Sequence, residues 1–437
     1  MHSLRALRNS KLMRQVKLRN IVGLTTHLVL MIASTLLINS FAVERAWART
    51  APAGFVGTNG THFELDGRPF YFQGTNAIRF GTTVGESEDK VYAAMREYAS
   101  LGLRVVRMWG FACSGYLGSS APILEWASEG QLGYNETGWQ RLDMALDAAR
   151  AAGLKVILPL VNFEPSYCGM EWWTQQVIQS SDKHLFYSDS RVKVAFKRHV
   201  ETLLNRVNSR YRSSIGKSVR YKDDPTIMAI EIANEPHTED YYEYHRGLPP
   251  GELVYNFLNE LSWHIRKNDP NHLISTGEEG YKTSIDGASD TYDHVWINNG
   301  SKGVNFEKNV TLSQIDFATV HIYPDNWNIP SSQMYWVEER LMKRRAAIAH
   351  AAGKPIVLEE SGFNSDPSWQ GYRLGYGSSP AWYLSQMYEL ANRYDYAGTM
   401  IWQLLPRGFS VGGYDYDTAH PVADVVRRQA WYLNSKY

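Results

Sequence analysis

The residues of this sequence best suited to chemistry are acids that close apolar runs. Thr226-Ile227-Met228-Ala229-Ile230-Glu231-Ile232-Ala233 leads into Asn234-Glu235, and Pro236 then stops the run. Pro355-Ile356-Val357-Leu358 leads into Glu359-Glu360, followed by Ser361-Gly362. Two carboxyl groups brought to one point suit the hydrolysis of a glycosidic bond. One protonates the leaving oxygen, and the other attacks the anomeric carbon or activates water. A hard-cation or zinc site is the competing use of converging acids with a histidine. The chain holds neither HxH nor HExxH, so no metal and no cofactor is expected.

A second acid is useful only if the fold delivers it beside the first. Eight apolar runs read as strands: 70–77, 104–109, 155–161, 227–234, 273–277, 317–323, 355–360 and 399–404. Amphipathic helices read most clearly at 88–100, 139–152, 191–211, 252–267, 332–352 and 381–394, with apolar residues every three or four positions. Gly102, Gly153 and Gly353 stand where helices stop before the next strand. Strand and helix alternate without a linker, which predicts a single (β/α)8 TIM barrel over residues 49–437. An open doubly wound sheet is the alternative, weakened because Gly74-Thr75-Asn76-Ala77 is no phosphate-binding loop. Residues 55–69 predict a short N-terminal β-hairpin about Asp66-Gly67, and 280–315, with Asp286, Asp290, Asp293, His294 and Trp296, predict an extended rim loop.

In a barrel the C-terminal strand ends share one face. The strands would deliver there, in order, Asn76; Arg107 and Trp109; Asn162; Asn234 and Glu235; Glu278 and Glu279; His321 and Tyr323; Glu359 and Glu360; Trp402 and Gln403. Any one of these suits a cap or a rim. The coincidence of all of them at one face suits a site. Strand alternation predicts that one of Glu359 and Glu360 faces the barrel and the other the helices.

The first 48 residues carry seven Lys/Arg and one acid, which leaves 38 basic and 44 acidic residues for the rest. A mildly acidic body gives no reason to expect nucleic acid. Arg5, Arg8, Lys11, Arg14, Lys17 and Arg19 precede an apolar segment and Ala46-Trp47-Ala48, the pattern of a cleaved export signal over residues 1–48. A secreted chain, extracellular or periplasmic, with no stable membrane association is expected. An uncleaved anchor over 21–43 is the alternative. The two cysteines, Cys113 and Cys168, allow one disulfide or two buried thiols.

Ile232-Ala233-Asn234-Glu235-Pro236, His321-Ile322-Tyr323-Pro324 and Glu360-Ser361-Gly362 together resemble glycoside hydrolase family 5. Within it, Arg107-Met108-Trp109-Gly110-Phe111, Thr276-Gly277-Glu278-Glu279-Gly280 and Asp325-Asn326-Trp327 look like the endo-β-1,4-mannanase branch. The resemblance implies Glu235 as acid/base and Glu360 as nucleophile, with Arg107 keeping the nucleophile ionised. Asn234 would bond the sugar 2-hydroxyl, His321 and Tyr323 would orient the nucleophile and its sugar, and Trp402 would be the stacking platform. Trp109 and Glu279 would also contact substrate. It further implies a monomer that cleaves internal linkages of β-mannan or a related polysaccharide with retention. An exo-acting β-mannosidase, an endo-β-1,4-glucanase and a non-catalytic polysaccharide-binding barrel are the alternatives.

The chain departs from that pattern at three places. Serine follows Glu360 where the family has an aromatic residue, and His237 stands where an arginine commonly follows Asn-Glu-Pro. The loop 162–173 lacks the usual Trp-Asp form and holds Glu164, with Trp172 and Trp173 as candidates for either cleft or core. Cys113 and Cys168 follow neighbouring strands, which favours a bridge across the cleft wall.

Overall fold

The computed structural model describes residues 49–436, except 81–86, 114–122, 127–131, 166–167, 284–294, 369–372, 376–377, 408 and 410–411. The expected export signal and the rim-loop residues Asp286, Asp290, Asp293 and His294 fall outside the described residues.

Eight parallel strands form one sheet: Phe72–Asn76, Val105–Arg107, Lys155–Pro159, Ile227–Glu231, Leu273–Ser275, Ala318–Ile322, Ile356–Ser361 and Gly398–Ile401. We number them one to eight. Their spatial order is five-four-three-two-one-eight-seven-six. A parallel bridge between Ser275 and Phe317 joins the fifth strand to the sixth and closes the barrel. The strands are apolar and buried nearly throughout, as strands covered by helices outside and packed side chains inside must be. Helices follow at the positions expected, and Gly102, Gly153 and Gly353 sit at φ 84°, 74° and 67°, a left-handed turn that glycine makes without a Cβ penalty.

The bottom of the barrel is sealed by aromatic packing. Strands Val56–Asn59, His62–Leu65 and Arg68–Pro69 form an antiparallel sheet, one strand more than the expected hairpin. Phe63 packs edge-on against Phe317 at 5.2 Å and beside Phe72 at 5.9 Å. Polar groups at that end, Arg49, Arg104 and Asp316 among them, are tied into ion pairs or bonded to the backbone.

One helix expectation needs correction, and one helix lies outside the expected set. The run 191–211 ends as helix at Asn205, and Val207–Arg212 pairs instead with Ser218–Arg220. Arg206 breaks the run because its guanidinium is held by Glu136 at 2.7 Å and Asp143 at 2.6 Å. Those tertiary ion pairs outweigh a helical periodicity worth a few tenths of a kcal/mol per residue, roughly. A helix at Val422–Asn434, not read from the sequence, follows the eighth strand and buries Val422, Val425, Val426 and Leu433. No helix among the described residues is long and apolar enough to cross a membrane.

Candidate active site

At the C-terminal face the strand ends surround a cleft open to solvent, lined in part by Trp109, Asn234, Glu235, Glu279, Tyr323, Glu360 and Trp402. Seven of the residues singled out in the sequence thus share one wall-to-wall space. Arg107 and His321 lie directly beneath it, fully buried.

Arg107 organises the floor. Its Nη1 donates to Glu360 Oε1 at 2.5 Å and to Asn76 Oδ1 at 2.9 Å. Its Nη2 donates to Asn234 Oδ1 at 2.5 Å and to Glu231 Oε1 at 2.6 Å, and its Nε to Glu231 Oε2 at 3.2 Å. Five contacts use the planar donor fork of a guanidinium in full, which an ammonium cannot reproduce. Burial disfavours the charge, but Glu231, Glu359 and Glu360 around it more than compensate, and the group stays cationic.

Glu360 is the most confined acid facing the cleft, with its side chain 4% exposed. Besides Arg107 it accepts from Tyr323 Oη at 2.7 Å, and His321 Nδ1 stands 3.6 Å away. Burial pushes its pKa up, while His321 and Arg107 pull it down and Glu235 adds to the rise; the net direction is upward. Glu235 is set differently. Its side chain is 19% exposed, and it makes one side-chain contact, to His321 Nδ1 at 2.8 Å. Its backbone lies at φ 50°, a conformation that costs roughly 1–3 kcal/mol and persists only where the surroundings impose it. The imposition comes from Gly277. The Glu235 N–H donates to the Gly277 carbonyl at 2.8 Å, and a Cβ at Gly277 would collide with the Ala233 carbonyl and the Glu231 carboxylate. Carboxylate oxygens of Glu235 and Glu360 and a ring nitrogen of His321 all lie within 4.8 Å of one another.

His321 is held between acids, with Nδ1 at Glu235 and Nε2 at Glu359 Oε2, 3.3 Å away. Burial lowers its pKa, but Glu360, Glu235 and Glu359 raise it more, so the ring carries a proton well above the usual histidine range.

The expectation that Glu359 and Glu360 point to opposite sides fails. Val320 pairs with Leu358 but His321 with Glu360, so one extra residue is accommodated on the seventh strand. Such a bulge breaks alternation: Glu359 points into the barrel beneath, and Glu360 is re-aimed into the cleft mouth. Glu231 was missed as well. It alternates with Ala229 on the inner face of the fourth strand and is fully buried. The signal was present, because one acid inside an apolar strand must have a buried partner.

The side walls are less charged. Trp402 and Trp109 stand 6.1 Å apart at one wall, and the Trp109 indole N–H has no hydrogen-bond acceptor in the structure. Trp327, opposite, is braced edge-on by Trp296 of the rim loop at 5.8 Å. Glu279 accepts from Tyr281, and burial pushes its pKa up to about 7. His237, 5% exposed, lies behind the lining: its Nδ1 is 2.9 Å from the Glu235 carbonyl and 3.3 Å from Glu279 Oε2, with its ring on Phe163. Burial holds it neutral, with a pKa lowered to about 4. Trp172 and Trp173 sit on the helix Met170–Ile178 and belong to the core, whereas Asn162 and Glu164 of the same loop line the cleft. Cys113 and Cys168 form a disulfide with Cα atoms 5.6 Å apart. Glu278 and Gln403 turn away from the cleft, Glu278 to Thr276 and Asn309, and Gln403 to Asp415.

A second group with converging ligand atoms is Glu164, His237 and Glu239. There Lys183 already pairs with Glu239 at 3.2 Å.

Comparison with known proteins agrees with this geometry. Residues 53–403 match the model of a GH family 5 beta-mannosidase-like domain. Mannan endo-1,4-beta-mannosidase 7 of Arabidopsis thaliana is 32% identical over 81% of this chain and 79% of its own length. Mannan endo-1,4-beta-mannosidase 1 of rice, Oryza sativa subsp. japonica, is 32% identical over 87% and 85%. Among solved structures, the endo-1,4-beta-mannanase from Rhizomucor miehei superposes with a TM-score of 0.73 at 28% identity, covering 87% of this chain and 99% of that one. With the family model spanning most of the barrel and two carboxylates at its mouth, the chain belongs to glycoside hydrolase family 5 and is a glycosyl hydrolase.

Proposed function

We propose that this protein is a secreted, monomeric endo-β-1,4-mannanase that works by double displacement with retention. The observation that carries the reading is the unequal pair Glu235 and Glu360, with oxygens no more than 4.8 Å apart. Retaining enzymes hold their carboxyls about 5–5.5 Å apart, and inverting ones leave room for water at about 6.5–9.5 Å.

In the first step Glu360 attacks the anomeric carbon. The bond to the leaving sugar breaks, and Glu235 gives its proton to the departing oxygen. In the second step water attacks the glycosyl-enzyme ester, Glu235 takes a proton from that water, and Glu360 leaves as carboxylate. Arg107 and Tyr323 fix both oxygens of Glu360, so little reorganisation is needed at attack. His321 positions Glu235 from below. Asn234, oriented by Arg107 and by its own donation to Asn162 at 2.9 Å, would bond the 2-hydroxyl. Trp402 offers a flat face to sugar C–H groups, and Trp109 an unused N–H. Glu279 would meet a leaving-side sugar.

Mannan as substrate and internal cleavage rest on the names of the relatives, and export rests on the N-terminal pattern. An exo-acting β-mannosidase is the second reading, favoured by the family model's description. Product analysis on linear mannan, galactomannan, cellulose and mannobiose separates them. Mixed mannooligosaccharides from linear mannan are expected. Mannose alone would establish the exo reading, and products from cellulose only would overturn the substrate.

A further inference from the structure

Beneath the cleft, two carboxyl groups that the mechanism above does not use face each other. Glu231 and Glu359 are both fully buried, and their carboxyls flank the same Arg107 Nε, at 3.2 and 3.8 Å. Glu231 takes two bonds from Arg107, at 2.6 and 3.2 Å. Glu359 Oε2 faces His321 Nε2 at 3.3 Å and Arg107 Nε at 3.8 Å. Glu359 Oε1 is buried and has no donor among the described residues. Two buried carboxylates against one guanidinium repel each other, and a proton held between them relieves that repulsion.

The charge count agrees. The titratable groups around the pair and Glu360 are Arg107 from the second strand, Glu235 from the end of the fourth, Glu279 after the fifth, and His321 and Tyr323 from the sixth. Arg107 and His321 are cationic. Within the buried set Glu360, as nucleophile, supplies one negative charge. One more balances the buried set, while two would leave an uncompensated charge in a low-dielectric interior.

We propose that Glu231 and Glu359 share one proton and act as a single positioning unit, which carries one negative charge, orients Arg107 and His321, and sets the ionisation of Glu360. The last clause rests on Glu360 as nucleophile. The shared proton does not.

A shared proton makes an unusual prediction. Replacing either member by glutamine removes the proton along with the carboxyl, and the survivor ionises, so the unit keeps its charge. Glu231→Gln and Glu359→Gln should each leave the acid limb of the kcat/KM–pH profile at its wild-type position, even where kcat falls. The double variant loses the charge, and the limb should move down by roughly two to three pH units, as expected for a charge about 4–6 Å away at an effective dielectric near 20. Separate shifts in the single variants, or an unmoved limb in the double variant, overturn the proposal.

Infrared difference spectra of the two single variants against wild type supply a readout that needs neither activity nor a folded double variant. Each should show loss of one protonated-carboxyl C=O band and no loss of carboxylate intensity. Loss of carboxylate in either variant shows that the proton is not shared. If the chain failed to hydrolyse any β-mannan, the infrared result would still decide the pair, so the two failures are distinguishable.

Discussion

The floor of the cleft and its leaving-side wall are both rich in acid, yet they are built on opposite electrostatic terms. On the floor, Glu231, Glu359 and Glu360 surround a guanidinium whose every donor is engaged, and a histidine sits in the same layer. At the wall, Glu279 has a tyrosine hydroxyl and a neutral His237 beside it, with His321 and Lys302 acting on it only through space, and its pKa rises to about 7. Burial acts on both groups. What differs is whether a fixed cation offsets it. Glu360 is compensated only in part, since burial still raises its pKa on balance, but its direct bond to Arg107 favours a charged nucleophile in a dry site. An uncompensated acid switches between donor and acceptor near neutral pH, which suits a contact to sugar hydroxyls.

The largest effect should come from the floor. Glu360→Ala should lower kcat by more than about 10⁴-fold while the thermal unfolding transition stays cooperative; activity retained there and lost in Glu359→Ala would move the nucleophile to Glu359. Arg107→Lys keeps the charge but gives up the planar fork, and kcat should fall by roughly 10²-fold through misplacement of Glu360 and Asn234. A loss in KM alone would mean that the fork binds substrate and does not position acids.

Smaller effects are expected at the wall. Glu279 is protonated below about 7 and ionised above it, so KM should change through that pH in the wild type and flatten in Glu279→Gln. Glu278, turned away from the cleft, gives a stability test of the same principle. Burial raises its folded pKa to about 7 from 4.5. Between those values the folded chain holds a proton that the unfolded chain has lost, so its contribution to stability falls as pH rises, by about 1.4 kcal/mol per pH unit. Denaturant unfolding between pH 5 and 7 should show that slope reduced in Glu278→Gln.

The same division marks what could be read from the sequence. The barrel was legible because buried parallel strands are nearly continuous apolar runs. Glu235, Glu279, His321 and Trp402 were legible because each interrupts such a run at its end. Glu231 was harder to read, since an acid in mid-strand declares only that a partner exists, and the partner, Arg107, lies 124 positions away. The facing of Glu359 and Glu360 was not legible, because the bulge that re-aims them is a matter of register between two strands. The helix Val422–Asn434 carries ordinary apolar spacing at Val422, Val425, Val426 and Leu433, a signal present in the sequence. His237 is the instructive departure. It stands at a position where an arginine is common, yet it packs behind the lining and works through Glu279, so its consequence for the cleft is indirect.

The central claim is that Glu360 attacks carbon and Glu235 manages the proton. Proton NMR of the reducing ends first released from a linear β-1,4-mannooligosaccharide tests it most directly. The β-anomer should appear first and mutarotate to α; initial release of the α-anomer would contradict double displacement by this pair.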